Sequence, residues 1–477
     1  MKEILYRTPK KKSDSAKIER TRLDIVKNVL ADYEERRTKR RADELQWTLN
    51  MDFFNGKQNS YVTNFDTLTT AGKQFHWQRQ ECFNHIAAIV ESRLARITAH
   101  RSDLLPVGED EAGVLLCRKV LDSALHKTKF DELAEQAAQW SEVTGSAFYK
   151  VFWDATKGDQ VGVVKNGESE IAITLGDVSI CVVNPFELYP DNMNAGDISE
   201  ISSMIHAKTL PIAQIKETWG IDLSGKGEES VLVLERYERP TCARPNGRLT
   251  IVADQKLLFD GELPFITEED GSRGLPFVRQ TCEKRVGKFF GRSVIERAIP
   301  VQRAYNTIKN RKVEFLNRMA CGVLAIEEGS VDIESLENEG LAPGKVIVYR
   351  AGSAAPKFME TGTMPAELER EEERLLREFE TISGGTDTTR IESGNTSGVA
   401  LEILAEQSNR RIARTILSCT KAKINIGCRI LRLYKQFATD VRVDRLLGEA
   451  FTYAGDELNC CDIVLKPETP YMEVENG

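Results

Sequence analysis

Two helical stretches of opposite charge follow one another in the second half of the chain, and this order constrains the fold more than any other feature. Residues 291–319 predict one helix of about 29 residues, which would be about 43 Å long. Pro300 must either kink this helix or start its second half, because proline removes a backbone hydrogen bond. The acidic residues of the stretch are Glu296 and Glu314. The basic residues are Arg292, Arg297, Arg303, Lys309, Arg311, Lys312 and Arg318.

The apolar side chains of residues 291–319 follow alternating steps of three and four positions, interrupted at Lys312. This spacing places them on one stripe and is typical of a helix that packs lengthwise against another helix. We therefore expect a packing seam. The stripe contains Val294, Ala298, Val301, Tyr305, Ile308, Phe315 and Met319.

The second helix of the pair is predicted at residues 363–382, with Thr363 as the N-cap and Pro365 in the first turn. Its apolar side contains Leu368, Leu375, Phe379 and Ile382. If the two helices pack side by side, within or between subunits, their charges are complementary. Exposed pairs contribute only about 0–1 kcal/mol each, so they would set register more than stability. The remaining face carries Glu367, Glu369, Glu371, Glu372, Glu373, Glu378 and Glu380 against Arg370, Arg374 and Arg377.

A small insert lies between the two helices at residues 322–362. Strands are predicted at 323–326 and 345–349, around an acidic turn region. After the second helix, residues 383–397 contain almost no large apolar side chains, which predicts a mobile loop. A long helical region with a basic polar face is then expected at residues 398–437. The acidic residues of the turn region are Asp332, Glu334, Glu337 and Glu339.

The first half of the chain changes from helix to strand near Gly145. Helical spacing dominates to about residue 147, and strands are predicted at 146–154, 171–175, 178–183, 231–237 and 249–258, with a short helix near 211–219. The fold class is therefore α+β and mainly helical. Residues 1–41 carry fourteen Lys and Arg against seven Asp and Glu. Such a block predicts a solvated tail or exposed helix face, and a contact with nucleic acid or a capsid component is the alternative.

Composition excludes several classes of protein. No apolar run reaches the roughly 18–20 residues of a membrane span, and the start of the chain lacks an apolar signal segment, so we expect a soluble protein made in the cytoplasm. The net charge of −8 disfavours a protein that holds DNA tightly, because affinity for DNA comes from Lys and Arg on phosphates. Neither the ten cysteines nor the five histidines have metal-ligand spacing, so no metal and no cofactor are expected.

Five local motifs occur in order along the chain. They are WTLNMDFFNGKQ at residues 47–58, GSAFYKVFWD at 145–154, NPFELYPD at 184–191, FGRS with VQRAYN within 290–306, and TSGVAL at 396–401. Together with the order of the helices, the insert and the loop, they make the chain resemble the portal proteins of tailed bacteriophages. The resemblance extends over about residues 45–405.

The resemblance implies a layout of parts. Residues 1–288 would be the N-terminal region and wing, helical at 17–147 and β-rich at 148–288. Residues 289–320 would be the first stem helix, 321–362 a small α/β clip, and 363–382 the second stem helix. Residues 383–397 would be the tunnel loop, 398–440 the helices of a short crown, and 441–477 a tail that returns to the wing.

The resemblance also implies a function and partners. Portal proteins form a ring, commonly of twelve subunits, at one capsid vertex, and double-stranded DNA passes through the ring without tight binding. The partners would be the terminase large subunit, the major capsid and scaffolding proteins, and head–tail adaptor or tail proteins, but no membrane. The protein would nucleate procapsid assembly in the host cytoplasm and become part of the virion.

Site residues follow from the same resemblance. The ring seam would use Val294, Val301, Tyr305, Ile308 and Phe315, and the clip would dock partners through Asp332, Glu334, Glu337 and Glu339. Second-stem acids, Glu371, Glu372 and Glu378, would face the channel and weakly repel DNA. The tunnel loop would contact DNA through Thr386, Asp387, Thr388, Thr389, Arg390, Glu392 and Asn395.

Two other functions are alternatives. An enzyme that processes DNA, such as a nuclease or ATPase, would need a catalytic motif, and the sequence has no Walker A motif and no HExxH or GxSxG motif. Lys345 follows a glycine, but the spacing is wrong and Val346 stands where Ser or Thr is required. Another ring component of the phage neck is the second alternative, although such adaptors are usually much shorter.

Overall fold

Helices and strands alternate in blocks along the chain, 45% helical and 24% strand overall, so the prediction of a mixed fold is confirmed at that level. The computed structural model describes residues 15–73, 78–100, 103–166, 169–223, 229–334, 336, 346–359, 362–383, 398–446, 449–460 and 462–465. The tunnel-loop residues and the clip acids Glu337 and Glu339 lie outside the described residues.

The N-terminal block is helical. Helix α1 (Ser15–Phe54) is followed by the hairpin β1 (Ser60–Val62) and β2 (Leu68–Thr70), and then by α2 (His85–Ala99). Strand β3 (Leu104–Val107) leads into α3 (Glu111–Lys127) and α4 (Phe130–Thr144). The N-cap side chain of α2 is Asn84, and that of α3 is Asp110. Gly145 ends α4 at φ 90°, as predicted, because a left-handed residue stops a helix at little cost only when it is glycine.

The basic N-terminal stretch is not simply a solvated face. Arg40 on α1 is 0% exposed, and its guanidinium donates to the carbonyl oxygens of Pro185 and Phe186 at 3.1 and 2.8 Å. Arg36 is also buried and donates to the carbonyl oxygen of Tyr189 at 3.0 Å. These two arginines hold α1 on the NPFELYPD segment. For them the prediction of exposure is wrong, because carbonyl oxygens of a distant turn accept their charge-assisted hydrogen bonds.

Two antiparallel sheets follow. The strands are β4 (Ser146–Asp154), β5 (Gln160–Asn166), β6 (Ser169–Thr174), β7 (Asp177–Val183), β8 (Leu188–Pro190), β9 (Ser203–Pro211), β10 (Ser230–Glu238), β11 (Arg248–Ala253), β12 (Lys256–Gly261) and β13 (Phe277–Thr281). One sheet has the order β13-β4-β7 and the other β12-β11-β10-β9-β8, while β5 pairs with β6 in a separate hairpin. Helix α5 (Ile212–Trp219) lies between β9 and β10. The single strand predicted at 249–258 is instead the hairpin β11–β12, turned at Asp254 with φ 54°.

The C-terminal half contains three long helices. Helix α6 (Val294–Cys321) is followed by β14 (Val323–Ala325), β15 (Lys357–Met359), α7 (Ala366–Ser383) and α8 (Gly398–Phe437). Both helices of the predicted pair begin three residues later than expected. Strand β14 pairs with β15, and residues 346–349 form no strand, so the predicted strand at 345–349 is wrong. Its valines, Val346 and Val348, are exposed because no strand among the described residues covers them.

The last elements return to the first half of the chain. Strands β16 (Arg442–Leu446) and β17 (Glu449–Tyr453) form a hairpin, and β18 (Asp462–Leu465) pairs antiparallel with β3. Helix α8 packs against β4, β7 and β13. A shared apolar core therefore joins both ends of the chain, with Cys117 and Val120 from α3, Ile426 and Ile430 from α8, and Ile463 from β18.

Candidate subunit-contact and channel site on the α6–α7 hairpin

The start of α6 is fixed by its cap. The Ser293 side chain accepts from the backbone N–H of Ile295 at 3.0 Å, and Glu296 accepts in return from the backbone N–H of Ser293 at 3.3 Å, a capping box. The helix continues through Pro300. A single rigid element therefore carries all the charges between residues 294 and 321.

One face of α6 holds a ladder of polar side chains spaced four residues apart. They accept from the backbone N–H of every second residue between 79 and 85, at 2.9–3.1 Å. Four helical residues rise about 6 Å and two extended residues about 6.6 Å, so the two periods nearly match. Sequence reasoning missed this ladder, although the four-residue spacing was its signal. We call it the amide ladder; it consists of three amide side chains and one carboxylate, Gln302, Asn306, Asn310 and Glu314.

Helices α6 and α7 pack side by side in opposite directions. Tyr305 of α6 lies edge-on to Phe379 of α7, with ring centroids 6.0 Å apart, and His85 stacks on Phe379 at 5.1 Å. Leu375 of α7 is buried in the same cluster as Val294. The apolar sides predicted for both helices therefore meet within one chain.

A charged contact joins the same two helices. Glu372 of α7 lies 2.7 Å from Lys309 Nζ and 2.6 Å from Lys312 Nζ. Burial acts to raise the pKa of Glu372, but the hydrogen bonds from both lysines outweigh it and the pKa is lowered. The pKa of Lys309 is raised, mainly by its hydrogen bond to Glu372. The expected charge complementarity of the helices thus occurs within the chain at this position.

The rest of the α7 surface carries two lines of acids. Glu367, Glu371 and Glu378 follow one flank, where Arg374 lies 2.6 Å from Glu371 and 3.9 Å from Glu378. The other flank has the same spacing of four and then seven residues. This second line consists of Glu369, Glu373 and Glu380.

A basic hollow opens beside the start of α6, with a volume of about 390 Å³. Arg297 pairs with Glu283 at 2.7 Å, and Arg285 lies 3.5 Å from Asp43. Burial raises the pKa of Asp43, although Arg285 opposes the shift. The surface here is positive, opposite in sign to α7. The hollow is lined by Glu283, Lys284, Arg285, Val286, Lys288, Arg292 and Arg297.

A model of the family described as Phage P22-like portal protein matches residues 240–474, about half of the chain. The chain belongs to the phage portal family. The matched range includes α6, α7 and α8, so the hairpin lies in the portal-family part of the chain. A search of curated proteins found no match. Portal proteins are structural, non-enzymatic components of the phage, and the family implies an oligomeric ring associated with the capsid.

The acidic face predicted for the portal channel has two half-exposed members and one that is covered. The side chains of Glu371 and Glu378 are 39% and 45% exposed, whereas the Glu372 side chain is 13% exposed because it turns toward Lys309 and Lys312. Glu372 is therefore not part of an exposed acidic face. Whether Glu371 and Glu378 face a channel stays a prediction.

The seam predicted for the portal ring is largely used within the subunit. Val294 and Tyr305 are 2% and 5% exposed in the single chain, and Val301 and Ile308 pack on the same cluster. Val294 and Tyr305 thus have little surface left for a neighbouring subunit. Phe315 is half-buried. The role of this stripe in ring contact stays a prediction.

The clip region of the portal chain is described in part. Asp332 and Glu334 are exposed, as a docking surface requires. The nearby hairpin β14–β15 exposes the apolar side chains of Phe358 and Met359. The docking role of these residues stays a prediction.

No other kind of site is visible in the parts of the chain that the structure describes. There, no three or more His, Cys, Asp and Glu side chains are grouped to hold a metal ion. No helix within the same residues is both long and apolar enough to cross a membrane.

Proposed function

We propose that copies of this chain form a ring at one capsid vertex, through which double-stranded DNA enters during packaging and leaves during ejection. The single observation that carries the proposal is the portal-family match over the α6–α7 hairpin, whose helices have opposite charges. A ring requires two different surfaces on each subunit, because each copy must present one to each neighbour. A rigid hairpin with one basic and one acidic helix suits that requirement.

Each segment of the C-terminal half has a proposed part in the ring. Helix α6 would be the first stem helix and α7 the second, with the clip between them and the tunnel loop at residues 383–397 after them. The exposed acids of the clip and the apolar side chains of β14–β15 would dock the terminase large subunit and later the head–tail adaptor or tail proteins. Capsid and scaffolding proteins would assemble around the ring, which would have twelve subunits and nucleate the procapsid in the host cytoplasm.

The first acidic line of α7 is proposed to face the channel. Glu367, Glu371 and Glu378 carry three negative charges, and Arg374 offsets only one of them. A weakly negative wall keeps phosphates from binding, so DNA slides rather than sticks. Asp387, Arg390 and Glu392 of the tunnel loop would add few charges, and the loop would touch DNA without holding it.

Microscopy of the purified full chain tests the ring. We expect negative-stain images of closed rings with an axial hole wide enough for a duplex, and native mass spectrometry should give the subunit number. A compact monomer under every assembly condition would refute the proposed function.

Charge reversal tests the channel wall. Glu371→Lys with Glu378→Lys should slow DNA packaging into procapsids by about tenfold or more at low salt, because each added cation binds phosphate and releases counterions. The rate should recover as salt is raised. Glu269→Lys, which alters a side chain that is 91% exposed and away from α7, is the matched control and should package normally. Equal packaging rates for the double variant and the control would contradict the channel role.

A further inference from the structure

Helix α6 has one face that the described residues of its own chain leave uncovered. Arg297, Ala304 and Arg311 follow it at intervals of seven residues, with Pro300 and Thr307 between them, and all five are exposed. The three central side chains are small, so another helix could approach the α6 backbone closely between the two arginines. We call these five residues the α6 stripe.

The charges of the α6 stripe and of the second acidic line of α7 are not all used within the chain. Within the residues that the structure describes, neither Arg311 nor Glu369 forms an ion pair or a side-chain hydrogen bond. Glu373 is 3.6 Å from Arg377, but the two side chains are 67% and 77% exposed. Such an exposed pair is weak and can exchange partners.

These opposite charges lie at the same level of the hairpin. Glu372 contacts both Lys309 and Lys312, which fixes the offset between the antiparallel helices. At a rise of about 1.5 Å per residue, Glu369 and Glu373 fall on either side of Arg311, within about 4 Å along the axis. A rotation about an axis roughly parallel to the hairpin preserves these levels from one copy to the next.

They also lie on opposite sides of the hairpin. A helix turns by about 100° per residue, so the residues that contact the partner helix define every other direction. On α6 the direction of the partner helix is given by Lys309 and Lys312, and on α7 it is given by Glu372 and Phe379. Relative to these directions, the α6 stripe and the second acidic line lie on opposite sides of the plane through the two helix axes. The amide ladder, covered by residues 79–85, shares the side of the acidic line.

We propose that, in the ring, the α6 stripe of one copy docks on the second acidic line of α7 of the next copy, with Arg311 between Glu369 and Glu373. This rests on the proposed ring. Opposite charge, equal level and opposite sides are the properties that a repeated head-to-tail contact needs. The contact leaves the first acidic line free to face the channel. It also explains how the ring can form although the apolar stripe of α6 packs within the subunit.

Charge reversal and charge exchange of the full-length chain test the pairing. We expect Arg311→Glu alone, and Glu369→Arg with Glu373→Arg, each to raise the subunit concentration for half-assembly about tenfold, or about 1.4 kcal/mol per interface. Arg311→Ala, which removes attraction without adding repulsion, should give a smaller shift. The variant that carries all three reversals should assemble as the wild type does. Native mass spectrometry measures assembly, and circular dichroism with thermal melting verifies folding.

The control is Arg370→Glu, which reverses the charge of one exposed arginine on the side of α7 that faces away from α6. It should assemble normally. Normal rings from Arg311→Glu and from the Glu369/Glu373 variant would overturn the contact while leaving the ring intact. Failure of the triple variant to recover would also overturn the pairing, because disruption would then have another cause. If the wild type forms no ring at all, the proposed function fails instead.

Discussion

Two glycines decide how closely the start of β4 approaches the start of α6. A Cβ added at Gly145 would lie 2.5 Å from the carbonyl oxygen of Gly291, and the backbone N–H of Gly291 donates to the Ser146 hydroxyl at 2.8 Å. Cys282 N–H also donates to the Gly145 carbonyl, at 3.1 Å. Two of the sequence motifs, GSAFYKVFWD and FGRS, therefore meet through their glycines.

Gly145→Ala should destabilise the fold strongly. The left-handed backbone at φ 90° costs an alanine about 1–2 kcal/mol, and the clash with Gly291 adds about 1–3 kcal/mol. Gly220→Ala is the matched control, because Gly220 has φ 69° and open space at its Cβ position. Urea unfolding should show a larger loss at position 145 than at 220; equal losses would mean that the close approach to Gly291 has no energetic weight.

Helix α6 presents a different chemical surface in each direction. One side is apolar and faces α2 and α7, one carries the amide ladder for residues 79–85, and one is the exposed α6 stripe. The ladder explains part of the VQRAYN motif. Gln302 accepts from His85 N–H at 3.0 Å and donates to the Phe83 carbonyl at 2.7 Å, while Asn306 binds Phe83 N–H.

Gln302→Leu should loosen the segment at residues 79–85. The substitution removes the hydrogen bonds of the buried Gln302 side chain to His85 N–H and to the Phe83 carbonyl, and leaves these two backbone groups their own contact at 2.9 Å. We expect the loss to cost about 1–3 kcal/mol. Hydrogen exchange measured by mass spectrometry should accelerate over this segment. Thr307→Ala on the exposed side of the same helix is the control and should leave the exchange unchanged. Unaltered exchange in Gln302→Leu would show that the apolar contacts alone hold the segment.

At the scale of the whole molecule, a buried ion pair joins the two sheets. Lys150 on β4 of the three-stranded sheet lies 2.9 Å from Glu235 on β10 of the five-stranded sheet, and both side chains are almost fully buried. Lys208 is 2.5 Å from the same carboxylate, and His206 Nδ1 is 3.2 Å from it. Burial acts to raise the pKa of Glu235, but Lys150, Lys208 and His206 outweigh it, and the pKa is held well below its usual value.

Glu235→Gln should lower the free energy of unfolding by about 3–5 kcal/mol at neutral pH, because it leaves buried cations without a counter-charge. The wild-type contribution is fully present above pH 4.5, the ordinary pKa of a glutamate, and is lost as the pH falls through the lowered folded value. Wild type and variant should therefore converge in acid. Glu269→Gln is the exposed control. A constant difference between wild type and variant at every pH would contradict the assigned charge state.

The sequence by itself determined the elements whose signals are local. Residues 146–154 form a strand and residues 398–437 a helix at the predicted bounds, because alternation, helical spacing and glycine act between near neighbours in the chain. The opposite charge of the α6 and α7 stretches was also evident from the sequence. The family followed from five motifs in order, and the match over residues 240–474 confirms it.

Only the tertiary structure decided which side chains are covered and which strands pair. Arg40 is buried and Glu372 is engaged by two lysines because distant groups reach them, and no local spacing encodes that proximity. Strand β14 pairs with residues 357–359 rather than with the more apolar 346–349, since pairing depends on where the chain returns and not on propensity alone. The amide ladder belongs to both categories: its spacing is local, but its partner lies more than two hundred residues away.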